Sequence, residues 1–429
     1  MKRILLVALN MPHEYSLALY YLKLYALKDP DIQSNAKIDI LEVKLTKSTW
    51  KMLFKILKKR PHLVAFSCNI WNINRTLKLA KIVKMLTRAQ IVFGGQEVTH
   101  SYIEYLKIYP FIDIIVDGEG EQTFSDLLHD FLKTRFSRLD KIPGIKWRDN
   151  SQIRKNPPRP LIKDLDTIPS PYLNGMINVR NSHHLGMMVE LTRGCFHKCR
   201  FCFEGSRYKT ARSFSIKRVQ KEIEFMTKKG IRKFHFLDPI IGNANIKRLK
   251  QIDNIVKNLF GNSEYYFIPI EVYAEYINEQ NVAYLRRFSA FDIGLQSINP
   301  MVQKNIDRNF NPKKFLEGFR LLKQLKKETN IYIIIGLPGD NYFSLMKSVK
   351  FVVDCKPTFL YTNYLYILNG SYLREDIDRF DIKFHPKAPY AVISNNTFSE
   401  RELKIARILA ESTMKEYNLT LRLYKKVIS

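Results

Sequence analysis

The chain contains no apolar run approaching the roughly 18 residues that a spanning helix requires, so none of its 429 residues form a candidate membrane segment. It has no low-complexity tract and no internal repeat with a period of about 20 to 50 residues, which argues against disorder and solenoid architectures. Acidic residues are scarce: 41 Asp and Glu stand against 70 Lys and Arg, a net charge of +29. The excess is spread along the chain, with small clusters such as "KILKKR" (55–60) and "LYKKV" (423–427). That distribution reads as a solvated basic surface, with nucleic acid or an anionic membrane as the lesser reading. The opening "MKRILLVALNMPHEYS" is only superficially like a signal peptide, because Asn10, Pro12, His13 and Glu14 end its apolar run before any small-residue cleavage site. It reads as a first buried strand, and the expected compartment is the cytoplasm.

Cysteine is rare as well. Five thiols in a chain without signs of secretion do not suggest a disulfide framework. Cys68 and Cys355 lie in the apolar runs "LVAFSCNIW" and "VKFVVDCKP", where cysteine serves as a small buried hydrophobe. The other three crowd into "RGCFHKCRFCFEGS" (193–206) as Cys195-x3-Cys199-x2-Cys202, with no fourth nearby. Structural zinc wants four closed ligands, and here it would have to recruit His183, His184, His197 or His235 at an unusual spacing. An iron–sulfur cubane normally takes four thiolates. Three leave one iron without a protein ligand, a position where another molecule can bind.

Along the chain, residues 1–135 alternate short apolar runs with amphipathic stretches, the pattern of a Rossmann-like, doubly wound parallel sheet. Its strands end in "VALNM", "FSCNI", "FGGQE" and "VDGEGE", and ligands of such sheets lie beyond the carboxyl ends of the strands. Residues 136–185 are proline-rich with a hairpin signal at Asp149 and Asn150, and read as a linker. From 186 to 380 six strand-and-helix units predict a partial (β/α)6 barrel, with the cysteine cluster directly after its first strand. A C-terminal helical region, 381–429, holds a helix near 400–416, signalled by Ser399 and Glu402 as a capping box and by Phe398 and Leu403 as a staple.

The stretch "CFHKCRFC" matches the C-x3-C-x-aromatic-C signature of radical S-adenosylmethionine (SAM) enzymes, and "ELTRGC" resembles the approach to that loop. "FSCNIWN", "IVFGGQEV" and "IIVDGEGEQTFSDLL" look like the N-terminal domain of the cobalamin-dependent radical SAM group. "FLDPIIGNAN", "PIEVYAEYIN", "IGLQSINP", "GLPGD" and "KAPYAVISNNTFSERELKIA" are similar to its later segments. Each of these is weak alone, and their order along one chain carries the resemblance. It implies a 4Fe-4S cluster held by Cys195, Cys199 and Cys202, with the fourth iron chelated by SAM. It further implies SAM contacts from Phe201, Asp238, Glu271, Gln296, Ser297 and Gly336. In the N-terminal domain it implies cobalamin contacts from Asn10, Ser67, Gly94, Gly95, Glu97, Gly118, Glu119 and Gly120.

Read without the resemblance, Phe201 is an apolar loop residue facing a core, the polar strand-end residues are caps or lysine partners, and the first sheet is a flavodoxin-like domain with another ligand or none. One departure from the group is plain. "LNMPHEYSLAL" places neither the aspartate nor the glycine of a D-x-H-x-x-G motif at the right distance from His13, so cobalamin is expected without a protein histidine below the cobalt. His13 is then expected to pack or cap. The expected activity is methylation of an unactivated carbon through a 5′-deoxyadenosyl radical and methylcobalamin. The alternatives are a cyclisation or rearrangement without methyl transfer, and a non-enzymatic zinc or nucleic-acid-binding protein. The implied partners are a reducing donor such as flavodoxin or ferredoxin and an unidentified substrate: peptide, lipid, tetrapyrrole or small metabolite.

Overall fold

The computed structural model describes residues 1–12, 14–99, 102–179, 186–208, 210–239, 241, 246–261 and 268–428. The chain divides into two compact units, Met1–Leu185 and Gly186–Ser429.

The first unit is built on seven strands: β1 (Lys2–Asn10), β2 (Ala36–Lys44), β3 (Leu63–Ser67), β4 (Gln90–Gly94), β5 (Ile114–Val116), β6 (Ile145–Asp149) and β7 (Gln152–Lys155). They form one sheet in the order β2-β1-β3-β4-β5-β6-β7. The first five run parallel, and β6 and β7 add an antiparallel edge. Side chains alternate between the faces of a strand, yet Leu5, Val7 and Leu9 of β1 are as buried as Ile4, Leu6 and Ala8. Both faces of the sheet are therefore covered, as a parallel sheet requires. On one face Ile4, Leu6 and Ala8 share a core with Leu19, Phe124, Leu127 and Phe131.

Local signals start the helices. Ser48 accepts a hydrogen bond from the Lys51 N–H and opens the helix Thr49–Lys58, and Asp29 caps Pro30–Asn35 with proline at the first turn. The segment expected to link domains instead contributes β6 and β7, with Asn150 at φ 53° in their turn. Its hairpin signal was the informative part of that segment.

The second unit holds β8 (Met187–Glu190), β9 (Thr192–Arg193), β10 (Arg212–Ser213), β11 (Phe234–Leu237), β12 (Pro269–Val272), β13 (Ala290–Gln296), β14 (Glu328–Ile335), β15 (Phe359–Tyr364), β16 (Lys383–Phe384) and β17 (Val392–Ser394). Strands β8 and β11 pair in parallel, and so do β12, β13, β14 and β15 in sequence. These six are the strands of a partial barrel. On β13, Phe291, Ile293 and Leu295 are fully buried on one face, so Asp292, Gly294 and Gln296 line the other. The capping box near the C-terminus forms as expected: Glu402 accepts from the Ser399 N–H at 3.0 Å, and the Glu402 N–H donates to Ser399 Oγ at 3.3 Å. The helix it opens, Glu400–Ile428, runs past the expected end. No helix of the described residues is long and apolar enough to cross a membrane.

Candidate cofactor sites

The cysteine loop follows β8 and β9. Gly194, at φ +84°, makes the turn into it, and a Cβ there would stand 2.5 Å from the Thr210 carbonyl oxygen, so only glycine fits. Cys195 and Cys199 are buried and Cys202 is partly so; all are free thiols. Cys202 stands just before the helix Phe203–Arg207, and its N–H donates to the Cys199 carbonyl at 3.0 Å. The loop is anchored through Arg200, whose N–H donates to the Ile306 carbonyl at 2.9 Å and whose own carbonyl accepts from Leu373 N–H at 2.8 Å. Its side chain pairs with Asp376, Nε to Oδ2 at 2.6 Å. Phe201, within this loop, is half-buried.

The three sulfurs do not all lie within 4.8 Å of one another, the spacing at which side chains can share one ion. A single zinc ion is poorly served by that spread, whereas a cubane places a separate iron on each thiolate. Burial pushes the Cys195 thiol up to about 12 and the Cys202 thiol up to about 11. A bound cationic cluster offsets such a cost by holding the sulfurs as thiolates. Among the alternative zinc ligands, His197 stacks flat on Tyr273 (centroids 4.2 Å, 16°) and its Nε2 is buried without a hydrogen-bond partner among the described residues. His13, His183 and His184 lie outside the described residues. Among the described residues, the group that does meet the 4.8 Å spacing is Asp29, Asp31 and His129 in the first unit. Its carboxylates are already paired, Asp29 with His129 and Asp31 with Lys133, both at 2.9 Å.

Above the barrel strands the candidate SAM residues differ in character. Asp238, at the end of β11, is buried and accepts from Thr192 Oγ1 at 2.7 Å, which ties β9 to β11. Gln296 ends β13 at φ 70°, and its Oε1 is buried without a partner among the described residues. A Cβ on Gly294 would sit 2.5 Å from Gln296 Nε2, so the glycine makes room for that amide. Glu271, on β12, faces the open side of its strand, reached by solvent but surrounded by protein atoms. That burial, with the charges of Asp292 and Asp238, raises its carboxyl above the usual range. Asp292 is its register partner on β13 and accepts from Asn330 Nδ2 at 2.8 Å and Tyr332 OH at 3.3 Å.

Ser297 and Gly336 are turned elsewhere. The Ser297 hydroxyl is fully buried and accepts from the Asn299 N–H at 3.2 Å. Gly336, at φ +93°, packs against Val392 and Leu403, and its carbonyl accepts from Asn395 Nδ2 at 3.0 Å.

In the first unit the register aligns Ala8, Ser67 and Gly94 at the carboxyl edge of the sheet. Asn10 donates from Nδ2 to Glu42 Oε1 at 2.9 Å, and Glu42 also accepts from Ser16 N–H at 2.5 Å and Tyr20 OH at 2.8 Å. Glu42 thus pins the loop after β1, a role no local motif signals. Gly95 is at φ +108°, and a Cβ there would stand 2.5 Å from the Cys68 carbonyl oxygen. Gly118, at φ +81°, has open space where its side chain would be. Gly120 starts the helix Gly120–Thr134 against Leu22. Two carboxylates in this set face the protein: Glu97 is buried and accepts from Tyr105 OH at 2.7 Å, and Glu119 accepts from the Ile162 N–H at 3.0 Å.

Residues 189–352 match the Radical SAM superfamily and residues 33–128 the B12 binding domain. The chain belongs to the B12-binding radical SAM proteins. It is 27% identical over 312 residues to an uncharacterized methyltransferase of Pyrococcus horikoshii, covering 71% of this chain and 66% of that protein. It is 27% identical over 357 residues to the cobalamin-dependent radical SAM methyltransferase TokK of Streptomyces tokunonensis, covering 77% of this chain and 51% of that one. The chain thus spans about half to two thirds of the length of these curated relatives. Among solved structures, the cobalamin-dependent SAM radical enzyme OxsB superposes with a TM-score of 0.75 at 15% identity, over 95% of this chain and 66% of that one. The radical SAM methyltransferase TsrM of Kitasatospora setae superposes at 0.71 and 16% identity, over 88% of this chain and 75% of that one. These likenesses establish a shared fold. The cofactors of the two domains are a 4Fe-4S cluster, SAM and cobalamin. The three free thiols of one loop, the Gln296 Oε1 without a partner among the described residues and the open space at Gly118 fit such groups.

Proposed function

We propose that the chain is a methyltransferase acting on an unactivated carbon. The observation that supports this reading best is the three-thiol loop, which supplies no fourth cysteine, in one chain with a second, glycine-edged parallel sheet. When bound, the cluster with SAM supplies one-electron radical generation, and cobalamin supplies a transferable methyl group. Cys195, Cys199 and Cys202 hold three irons, and the orphaned Gln296 amide oxygen offers SAM an acceptor. Glu271 and Asp292 give the barrel interior a negative character suited to a cationic ligand group. The edge formed by Asn10, Ser67, Gly94, Gly95 and Gly118 lets backbone approach the corrin closely.

TokK and a 2-(S-pantetheinyl)-carbapenam-3-carboxylate methyltransferase of Streptantibioticus cattleyicolor, 28% identical over 360 residues, support methyl transfer. An anaerobic magnesium-protoporphyrin IX monomethyl ester cyclase of Cereibacter sphaeroides, 24% identical over 351 residues, keeps cyclisation as the second reading. The substrate stays open among peptide, lipid, tetrapyrrole and small metabolite. A low-potential reductant and a cytoplasmic setting, where free thiols persist, complete the proposal.

The test needs no substrate. Anaerobically reconstituted, reduced protein carrying cobalamin is given SAM labelled on its methyl group, and the released adenosyl products are measured. The methyltransferase reading expects both S-adenosylhomocysteine and 5′-deoxyadenosine. Production of 5′-deoxyadenosine alone favours the cyclase reading, and production of neither removes both.

A further inference from the structure

The three thiols of the loop are covered by different donors. The backbone N–H of His197 acts on Cys195, and those of Gly205 and Glu204 on Cys202, each holding the thiol lower than burial alone would. Cys199 is served by side chains. Arg308 Nη1 stands 3.8 Å from its sulfur, and so does the Tyr273 hydroxyl. The guanidinium lies over the Tyr273 ring, 4.2 Å from its centroid, and its second arm donates to the Gly294 carbonyl. Arg308 is buried, and its Nε has no partner among the described residues. Glu275 is the carboxylate that acts on its charge, without a hydrogen bond to it among the described residues.

We propose that Arg308, assisted by Tyr273, sets the reduction potential of the 4Fe-4S cluster through the Cys199 sulfur. This rests on the reading of the three cysteines as the cluster's ligands. Backbone amides offer partial charges, whereas Arg308 brings a full positive charge to one sulfur in surroundings that screen it little. Reduction adds one electron and therefore one negative charge to the cluster. A buried cation at a ligand sulfur stabilises the reduced form more than the oxidised one and raises the potential. Tyr273 works in the same sense, because against a thiolate its hydroxyl is the donor, and its ring keeps the guanidinium flat and aimed. Gly294 fixes the other end of the fork: its carbonyl holds Nη2, so the charge cannot swing away from Cys199. Arg308 is thus a positioning and tuning residue; nothing in its geometry requires it to touch a substrate.

The experiment is a redox titration followed by electron paramagnetic resonance on the full chain, anaerobically reconstituted, after iron and sulfide have been counted. The expected result for Arg308→Gln is a cluster at least tenfold less reduced at a given solution potential. For a one-electron couple that is a midpoint lower by about 59 mV. Arg308→Lys keeps the charge and shifts less, and Tyr273→Phe shifts in the same direction by less than Arg308→Gln. An Arg308→Gln protein with full iron and sulfide and a wild-type midpoint overturns the proposal. Where Arg308→Gln does not fold, Arg308→Lys and Tyr273→Phe decide, and wild-type midpoints in both overturn it. Wild-type protein that takes up no iron and sulfide sinks the cluster reading itself, and this proposal with it.

Discussion

Gly205 and Cys199 pack backbone against backbone: a methyl group on Gly205 would lie 2.9 Å from the Cys199 nitrogen and 2.8 Å from the His197 carbonyl oxygen. Neither neighbour is a side chain that can swing aside. Gly205→Ala is therefore expected to strain the cysteine loop by about 1–3 kcal/mol, the usual cost of overpacking. The reconstituted variant should retain fewer than the wild-type number of irons, read by iron and sulfide analysis. A variant with unchanged iron content and thermal stability would show that the loop has slack.

At the other unit's edge, Gly95→Ala combines a φ of +108° with a 2.5 Å approach to the Cys68 carbonyl. The expected cost exceeds about 1 kcal/mol, with cobalamin content after reconstitution falling in parallel. Cobalamin is read by its visible absorption. Iron content should stay at the wild-type value, since the cysteines belong to the second unit.

Gln296→Leu tests the orphaned amide oxygen. If that oxygen is an acceptor for SAM, its loss should weaken SAM binding about tenfold, or about 1.4 kcal/mol. Calorimetric titration of cluster-loaded protein reads the change. Unaltered affinity would mean that the polar edge of β13 serves the fold alone.

Arg287 and Asp253 meet at 2.7 Å with 8% and 7% of their side chains exposed. Removing one partner leaves the other charge buried and unpaired. Arg287→Met alone should cost about 3–5 kcal/mol in chemical denaturation, and Arg287→Met with Asp253→Leu should recover most of it. Equal losses in the single and double variants would contradict this account.

Asp340 supplies a pH dependence. Burial pushes its carboxyl up to about 6 from 3.8, against the hydrogen bonds it accepts from the Ser344 hydroxyl and the Asn341 N–H. The folded state binds the proton more tightly than the unfolded chain does. Its contribution is therefore fully present below about pH 4 and is lost as the pH rises through 6, about 3 kcal/mol in all. Asp340→Asn should flatten that part of the stability profile between pH 4 and 7. A profile identical to wild type would show that another group titrates there.

What the sequence disclosed depended on distance along the chain. The cluster ligands were legible because three thiols lie within eight positions. The Ser399–Glu402 capping box was legible because its partners are three residues apart. Arg308 and Tyr273 were not, standing 109 and 74 positions from Cys199, because only the order of the barrel strands brings them to that sulfur. Glu97 shows a shorter-range case. The resemblance implies a cobalamin contact from it, and the burial of its carboxylate against Tyr105 was not legible beside a glycine turn. The hairpin of β6 and β7 was visible in its turn residues, but not its attachment to β5, which is set by pairing across the sheet.

The anchoring of Arg200 has a consequence for how the molecule is made. Its main chain is held by Ile306 and Leu373, and its side chain by Asp376, 176 positions further on. A ribosome releases the thiols long before it releases those anchors, while the first sheet is already complete and free to fold. The nascent cysteine loop therefore waits without its fastenings until Asp376 has emerged.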